Sequence, residues 1–311
     1  MKIKTTEKKT LPQKAQETVP LILESNANKD YALIDSGHGK KLERYGPYLL
    51  IRPESQAMWQ PSLDKHIWRK ADAVFQANSQ EEGIGSWSFP HSSVSGETWP
   101  LSWNGLSFLG RFTSFRHVGV FPEQEAHWRF IENLIMGNKR PLQILNLFAY
   151  TGLASLIAAR AGAKVTHLDA SRKAIRWAQE NQKAASLLDK PIRWICDDAM
   201  KFVLREERRG KNYDIILLDP PAYGRGPRRE IWQIFEHLPE IISSCRALLS
   251  PNPLAVIMTT YSIRLSSYAI HELMRDIFSH LGGKIESGEL ILREKETNRA
   301  LSTSLFSRWV V

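Results

Sequence analysis

Cysteine is scarce in this chain, which has Cys196 and Cys245 and no others among its 311 residues. Two cysteines form neither a disulfide framework nor a zinc motif, and the nine histidines show no metal-binding spacing. The sequence also lacks an apolar run near the roughly 18 residues of a membrane-spanning helix, and no signal-peptide core is present near its beginning. We therefore expect a protein of the reducing cytoplasm, without a metal site or a membrane segment.

The composition is that of a globular protein with a basic balance. Hydrophobic residues make up 42% and charged residues 24% of the chain, and the formal net charge is +9. A chain of this length can hold two domains, and its positive charge favours a polyanionic partner such as nucleic acid. We expect a monomer or a homodimer.

The most informative stretch runs over residues 142–169. An apolar run at 142–148 leads into the turn 149–152, an alanine-rich helical segment follows, and a second apolar run at 165–168 ends in Asp169. This pattern predicts a βαβ unit of a Rossmann-like sheet. A turn containing Gly152 lets a ligand approach the backbone. Asp169 follows Gly152 at a spacing close to the roughly 20 residues expected for a ribose-binding acid.

The unit does not contain G-x-G-x-x-G, so a turn that binds pyrophosphate is not indicated. A nucleoside ligand without a diphosphate fits better, and S-adenosylmethionine (SAM) is the common one. The alternative is an ordinary buried βαβ crossover with no ligand.

The rest of the chain divides into three parts. Residues 1–24 form a predicted disordered basic tail, whose lysines are Lys2, Lys4, Lys8, Lys9 and Lys14. Residues 25–117 predict a small β-rich accessory domain, with one helix at 63–75 and a hairpin at Asn104-Gly105. Residues 118–311 alternate strands with helices and end in two strands, which predicts a seven-stranded α/β sheet with a C-terminal antiparallel hairpin.

Polar residues follow the later strands of this sheet. Ser171 is placed to cap one helix. Asp198 can either cap the next helix or accept a hydrogen bond from a bound adenine, and one carboxylate can do both. Both residues come directly after predicted strands, where ligands bind in open α/β sheets.

A third polar segment follows the apolar strand 213–218 and reads Asp219-Pro220-Pro221-Ala222-Tyr223-Gly224. Two prolines cannot continue a central strand, so the chain leaves the sheet here at its ligand-binding edge. Arg225, Arg228 and Arg229 would then open a helix running to about residue 249. They either neutralise phosphates or are solvated, whereas Arg205, Arg208, Arg209 and Lys211 precede the strand and are expected to be solvated.

These motifs, NLFAYTG at 146–152, Asp169, the Asp197-Asp198 pair and DPPAYG, resemble the class I SAM-dependent methyltransferases. More narrowly, with VGVFPEQ at 118–124, they resemble bacterial methyltransferases that modify large-subunit ribosomal RNA at cytosine C5 or at guanine nitrogens. The resemblance covers about residues 118–311.

The resemblance implies a role for each matching residue. Asn146, Phe148, Tyr150, Thr151 and Gly152 would contact the methionine end of SAM. Asp169 would hold the ribose and Asp198 the adenine, whereas Phe121 and Gln124 would line the flank of the cofactor. Ser171, Asp197 and Ala199 complete the expected cofactor site. Asp219, Pro220, Pro221 and Tyr223 would form the catalytic wall where the methyl group meets its acceptor, and Arg225, Arg228 and Arg229 would bind RNA.

One departure from the family motifs bears on which atom of the base receives the methyl group. The cytosine-C5 members attack the ring with a cysteine at the end of the fifth strand, where this chain has Thr260, and threonine is a poor substitute for a thiolate. DPPAY resembles the [DN]-P-P-[YFW] motif for amine methylation, with Ala222 inserted. In that motif the first residue and a proline carbonyl accept hydrogen bonds from the amine. A base nitrogen is therefore favoured, and N7 or a hydroxyl stays open.

Three functions remain on these grounds. The first is a methyltransferase acting on RNA, with ribosomal RNA favoured, which the charge and the resemblance support. For this first function, cytosine C5 remains the alternative acceptor. The second is a SAM-dependent methyltransferase for a small molecule or a protein. The third is a protein that binds SAM or RNA without catalysis, against which the intact DPPAY argues.

Overall fold

The computed structural model describes residues 20–77, 84–91, 94, 96–261 and 265–311. The lysine-rich part of the predicted tail lies outside the described residues. The strands are β1 (Leu21–Ser25), β2 (Tyr31–Gly37), β3 (Lys40–Tyr45), β4 (Tyr48–Pro53), β5 (Ala73–Ala77), β6 (Gly85–Ser88), β7 (Thr98–Trp103), β8 (Leu106–Arg111), β9 (Gln143–Leu147), β10 (Lys164–Asp169), β11 (Ile192–Cys196), β12 (Ile215–Leu218), β13 (Tyr223–Arg225), β14 (Ile231–Gln233), β15 (Ala255–Tyr261), β16 (Lys284–Arg293) and β17 (Ala300–Val310). The helices are α1 (Lys65–Trp68), α2 (Glu125–Met136), α3 (Leu153–Arg160), α4 (Arg172–Ala184), α5 (Ala199–Arg208), α6 (Ile234–Ala247) and α7 (Ser267–Phe278), with 3-10 turns at Pro122–Gln124 and Ser279–Leu281.

Eight strands form the main sheet, in the order β1-β16-β17-β15-β12-β9-β10-β11. All neighbouring pairs are parallel except the two that involve β17, because the closing hairpin places that strand antiparallel to β15 and β16. Strands β9, β12 and β15 are almost entirely buried, as expected for parallel strands with helices on both faces. The predicted Rossmann-like sheet with its C-terminal hairpin is confirmed, and β1 adds an eighth strand to it.

Side chains of the central strands alternate between two hydrophobic layers. In β12, for example, Ile215 packs with α2 and α3 on one face, whereas Ile216 packs with α5, α6 and α7 on the other. Strands β10 and β11 lie on one side of β9 in the sheet, whereas β12 and β15 lie on its other side, so the strand order reverses at β9. Ligands bind at such a switch point, outside the carboxyl ends of the strands.

The N-terminal part is rich in β-structure, as predicted. It contains a five-stranded sheet in the order β2-β3-β4-β5-β6 and the hairpin β7–β8, whose turn is Asn104-Gly105. One hydrophobic cluster joins Tyr45 and Trp99 of this part to Trp128 and Leu156 of helices α2 and α3. The β-rich part therefore packs directly against the helices that cover the main sheet.

Two local predictions are wrong. The predicted disordered tail extended to residue 24, but Leu21–Ser25 forms β1, which pairs with β16 and is held by an ion pair between Glu24 and Arg293. The predicted helix at 63–75 is reduced to the four residues of α1. Its C-terminal part is instead β5, because Ala73 and Val74 pair in parallel with β4.

Within the described residues, no helix combines the length and the apolar character that crossing a membrane requires.

Candidate active site

The loop between β9 and α3 has an unusual backbone. Phe148, Tyr150 and Gly152 all have positive φ, at 55°, 49° and 86°. Only glycine adopts this region without strain, so the loop needs internal support. The Gly152 N–H donates to the Ala149 carbonyl at 3.0 Å, and the Ala149 N–H donates to the Leu168 carbonyl at 3.0 Å. These bonds fix the loop beside the end of β10.

Asp169, the predicted ribose acid, holds the same loop from the tip of β10. One carboxylate oxygen accepts from the Tyr150 N–H and the other from the Ser171 N–H, both at 2.8 Å. Burial raises the pKa of Asp169, and these two backbone donors act in the opposite direction. Each carboxylate oxygen can accept more than one hydrogen bond, so Asp169 retains capacity for a ligand hydroxyl.

Two side chains predicted to contact the methionine end of SAM are engaged within the protein. Asn146 Nδ2 donates to Ser155 Oγ at 2.9 Å, and Thr151 Oγ1 donates to the Gly119 carbonyl at 2.5 Å. Both residues line the crevice and both are buried. Their hydrogen bonds hold the loop between β9 and α3, residues 148–152, which we call the cofactor loop.

The predicted caps on helices α4 and α5 are confirmed. Ser171 Oγ accepts from the Ala174 N–H at 3.3 Å, and Asp198 Oδ1 accepts from the Lys201 N–H at 2.9 Å. Ala199 is the first residue of α5 and is buried. The adenine role of Asp198 stays a prediction, which its cap does not exclude.

Asp197 is ion-paired, and this corrects one prediction for the arginines before β12. Arg205 Nη2 lies 2.6 Å from Asp197 Oδ2, because Arg205 reaches back along α5 to the carboxyl end of β11. Arg205 was expected to be solvated and remote from this edge, which is wrong. Arg208 and Lys211 are exposed, as predicted.

The acceptor side of the crevice is built around Asp219. Gln124 Nε2 donates to Asp219 Oδ2 at 3.2 Å and to Tyr261 Oη at 2.9 Å. Gln124, which directly precedes α2, therefore links the residue after β12 to the last residue of β15. The other oxygen, Asp219 Oδ1, is buried and has no hydrogen-bond partner among the described residues. Burial raises the pKa of Asp219 well above its usual range, nearby Glu123 raises it further, and the Gln124 amide partly offsets both.

The segment after Asp219 differs from the predicted helix. Pro220 is buried, Pro221 is exposed, and the chain then forms the antiparallel hairpin β13–β14 before α6 begins at Ile234. The predicted helix opening at the arginines is therefore wrong. The hairpin arginines, as we call them together, are all exposed: Arg225, Arg228 and Arg229.

The two faces of this hairpin differ. Trp232 points inward, donating from Nε1 to the Pro221 carbonyl at 2.7 Å, and its ring centroid lies 4.8 Å from that of Phe148 in the cofactor loop. Tyr223 is 53% exposed and Ile231 57% exposed on the outward face, where Arg225 pairs with Ile231. Arg225 Nε donates to Tyr223 Oη at 3.2 Å.

One crevice brings together eight of the nineteen predicted site residues, whereas seven others do not line it: Asp169, Ser171, Asp197, Asp198, Ala199, Pro220 and Pro221. It is lined by the cofactor loop, by Gly119, Phe121 and Gln124 before and at the start of α2, and by Asp219. None of the described residues that line it is lysine or arginine, which fits a ligand without a diphosphate. Tyr223 and the hairpin arginines lie outside this lining, on the neighbouring hairpin.

Sequence reasoning missed three residues of this region. Trp232 was hidden within a predicted helix, and Tyr261 was part of a strand with no sign that it would bond Gln124. His127 also lines the crevice from α2, although both of its ring nitrogens are buried and have no partner. No local sequence pattern marks any of the three.

Neither cysteine lies at the acceptor corner. Cys196 is the last residue of β11, where burial raises its pKa, and Cys245 is buried within α6. Thr260 is 1% exposed, and its hydroxyl oxygen has no partner. Among the described residues, no group of three or more metal-ligating side chains converges.

A doubly wound, mostly parallel sheet with a cation-free crevice at its switch point defines a Rossmann-like cofactor-binding protein. The family of S-adenosylmethionine-dependent methyltransferases matches residues 58–263, and the chain belongs to this family. The predicted family, enzyme class and cofactor, SAM, are confirmed. The crevice lined by Asp219 and Gly152, in which none of the described lining residues is lysine or arginine, fits a cationic nucleoside of this kind.

Solved structures agree with the fold. A SAM-dependent methyltransferase from Agrobacterium tumefaciens is 56% identical, with a TM-score of 0.91 and 94% of each chain covered. A Streptococcus mutans protein described as a candidate SAM-dependent methyltransferase is 17% identical. Its TM-score is 0.65, and 91% of this chain and 76% of that chain are covered, so it shares the fold.

Curated relatives match part of the chain. Ribosomal RNA large subunit methyltransferase K/L of Shewanella frigidimarina is 32% identical over 150 residues, which is 48% of this chain and 20% of that protein. The protein of the same name from Syntrophotalea carbinolica is 28% identical over 192 residues, 61% of this chain and 26% of that protein. The chain thus aligns with about a fifth to a quarter of the length of these relatives.

Proposed function

We propose that this protein transfers the methyl group of SAM to a base nitrogen of RNA, with ribosomal RNA as the RNA class. The observation that carries the choice of acceptor is the free, buried Oδ1 of Asp219. A buried carboxylate oxygen without a donor is costly, and an amino or imino N–H of a base would satisfy it.

The chemistry needs positioning more than covalent help. SAM supplies a methyl group that its sulfonium has already activated, so in-line geometry gives most of the rate enhancement. Asp219 Oδ1 and the Pro220 carbonyl accept from the acceptor nitrogen and hold its lone pair toward the methyl group. Trp232, which binds the Pro221 carbonyl, fixes this segment against Phe148 of the cofactor loop.

The cofactor would be held along the carboxyl edge of β9, β10 and β11. Asp169 accepts from the ribose and Asp198 from the adenine amine. Gly152 allows the turn of this loop, because its φ of 86° is a backbone angle that residues with a β-carbon adopt only with strain. Phe121 packs beside Tyr150 at a centroid distance of 5.8 Å and covers the same flank.

The RNA substrate is supported by surface chemistry and by relatives. Beside Asp219, the hairpin presents the exposed ring of Tyr223, on which an extruded base can stack, together with the hairpin arginines for phosphates. The net charge is +9, and the curated relatives named above are ribosomal RNA methyltransferases. We also propose that the protein is cytoplasmic and works as a monomer or a homodimer.

A base nitrogen is favoured over cytosine C5 because of where the two cysteines lie. C5 methylation needs a nucleophile that adds to the ring, and neither Cys196 nor Cys245 lines the crevice. Thr260, which the sequence pattern aligns with that cysteine, is buried and does not line the crevice.

The test uses ribosomal RNA from cells with and without the gene. Mass spectrometry of the nucleosides should show one N-methylated base missing from the deletion strain. Purified protein should then transfer tritium from labelled SAM to RNA from that strain, and Asp219→Ala should abolish the transfer.

Asp189→Ala is the matched control, because this acid is exposed and does not line the crevice. Equal labelling by Asp219→Ala and by the wild type would remove Asp219 from the mechanism. A missing 5-methylcytidine in the deletion strain would contradict the nitrogen acceptor, and unchanged RNA with labelling of a protein would contradict the RNA substrate.

A further inference from the structure

A buried extension of the crevice lies between α2 and the sheet. It is lined by Ile131, Leu217, Ile257, Thr259 and His127. His127 is 4% exposed, and within the part of the chain that the structure describes neither Nδ1 nor Nε2 has a hydrogen-bond partner. Because buried polar groups are almost always hydrogen-bonded, two free nitrogens on one buried ring call for a ligand or an ordered water.

The residues around His127 do not supply this partner. Its ring contacts Phe306 edge to face at a centroid distance of 5.2 Å, and the neighbouring lining is mainly aliphatic. Burial lowers the pKa of His127 to about 3, with Arg308 contributing in the same direction, so the ring is neutral near pH 7. A neutral imidazole has one N–H donor to offer to an acceptor.

The carboxylate at the amino-acid end of SAM is an acceptor of this kind. Asn146 Nδ2 and Thr151 Oγ1, the side-chain donors predicted for the amino-acid end of SAM, donate instead to Ser155 and to the Gly119 carbonyl. The Thr259 hydroxyl, by contrast, has only a long contact of 3.4 Å with Gln124 Oε1. Thr259 and His127 therefore offer two neutral donors in the same extension.

We propose that His127 binds the carboxylate of the amino-acid end of SAM, with Thr259 as a second donor. This inference rests on the proposed function only in that SAM occupies the crevice. The amino-acid end is a zwitterion, whose own ammonium balances the carboxylate, so neutral donors suffice in a crevice whose described lining residues include no lysine or arginine. An ordered water is the competing occupant.

The test compares ligands that differ only at that end. Calorimetry measures the binding of SAM, of decarboxylated SAM, which lacks only the carboxylate, and of 5′-methylthioadenosine, which lacks the whole amino-acid end. His127→Phe should lower the affinity for SAM by about tenfold to a hundredfold, which is the range expected for the loss of a hydrogen bond to a charged group. The other two ligands should bind with unchanged affinity.

Two further variants separate this role from a structural one. His271→Phe makes the same change at a buried histidine of α7 that does not line the crevice, and it should leave all three affinities unchanged. His127→Asn keeps a side-chain N–H and should recover part of the SAM affinity. A crystal structure of the wild type with SAM, which needs no variant, should place a His127 nitrogen within hydrogen-bond distance of a carboxylate oxygen.

The contrary outcomes are equally distinct. Unchanged SAM affinity in His127→Phe, or a water on His127 in that crystal structure, would overturn the inference. Equal weakening of all three ligands would also overturn it, because the change would then act on the nucleoside end. Binding of 5′-methylthioadenosine and SAM with equal affinity by the wild type would exclude an amino-acid site while leaving the proposed methyl transfer intact.

Discussion

Alanine at Gly152 should destabilise the protein more than alanine at Gly162, although both glycines have left-handed backbones. Gly152 caps the start of α3 with φ of 86°, and Gly162 follows the end of that helix with φ of 104°. A β-carbon at 152 would lie 3.0 Å from Ala178 Cβ and 3.3 Å from His167 Cε1. At 162 it would meet nothing within 4 Å.

The magnitude follows from separating strain from crowding. Left-handed backbone costs alanine about 1–2 kcal/mol at either position. The smaller entropy of the unfolded alanine chain offsets about 0.4–1 kcal/mol of this equally in both variants. Crowding against Ala178 and His167 adds about 1–3 kcal/mol at Gly152 alone. The free energy of unfolding should therefore differ between the two variants by about 1–3 kcal/mol.

Urea unfolding followed by circular dichroism measures this difference, provided that the slope of free energy against urea is the same in both variants. Calorimetry of SAM binding adds a functional measure, and only Gly152→Ala should bind more weakly, because crowding against Ala178 and His167 would displace a loop that lines the crevice. Equal destabilisation of the two variants would refute the argument that Gly152 is required for packing as well as for its backbone angle.

Three further outcomes are expected. Asp219→Asn should stabilise the ligand-free protein by about 1–3 kcal/mol near pH 8 and little near pH 4. Burial raises the pKa of Asp219, so the wild type loses stability as rising pH ionises this carboxyl; thermal unfolding across this range tests the sign. Trp232→Phe keeps the ring contact with Phe148 but loses the bond to Pro221, and methyl transfer should slow by about tenfold to a hundredfold with SAM affinity unchanged. Replacing the hairpin arginines together by glutamine should reduce the slope of log affinity for RNA against log salt by up to about 3, and an unchanged slope would exclude phosphate contacts.

The parts predictable from sequence were those with local signals. The apolar runs that form β9, β10 and β12 are bounded by turn residues, so their order along the chain indicated a parallel sheet. The caps at Ser171 and Asp198 and the hairpin turn at Asn104-Gly105 also depend on close neighbours in the sequence.

The parts missed depend on contacts between distant positions. β1 is a strand because it pairs with β16, near the opposite end of the chain, and its short apolar run at residues 21–23 was a local signal that the predicted tail overlooked. The segment 73–77 suits either a helix or a strand, and pairing with β4 decides the outcome. The hairpin β13–β14 forms where Trp232 can bury its ring against Phe148, which belongs to a loop several elements earlier in the chain.

The direction in which each side chain of β15 points bears on the acceptor chemistry more strongly than the identity of residue 260 alone. Ile257 and Thr259 line the crevice, and Tyr261 bonds Gln124 on that same side of the sheet. Because side chains alternate along a strand, Thr260 points to the opposite face with Met258, which packs in the layer of α5, α6 and α7. A cysteine at 260 in this register would direct its sulfur away from Asp219. The acceptor corner therefore offers a hydrogen-bonding carboxylate rather than a nucleophile, and it favours an acceptor that already has its own lone pair.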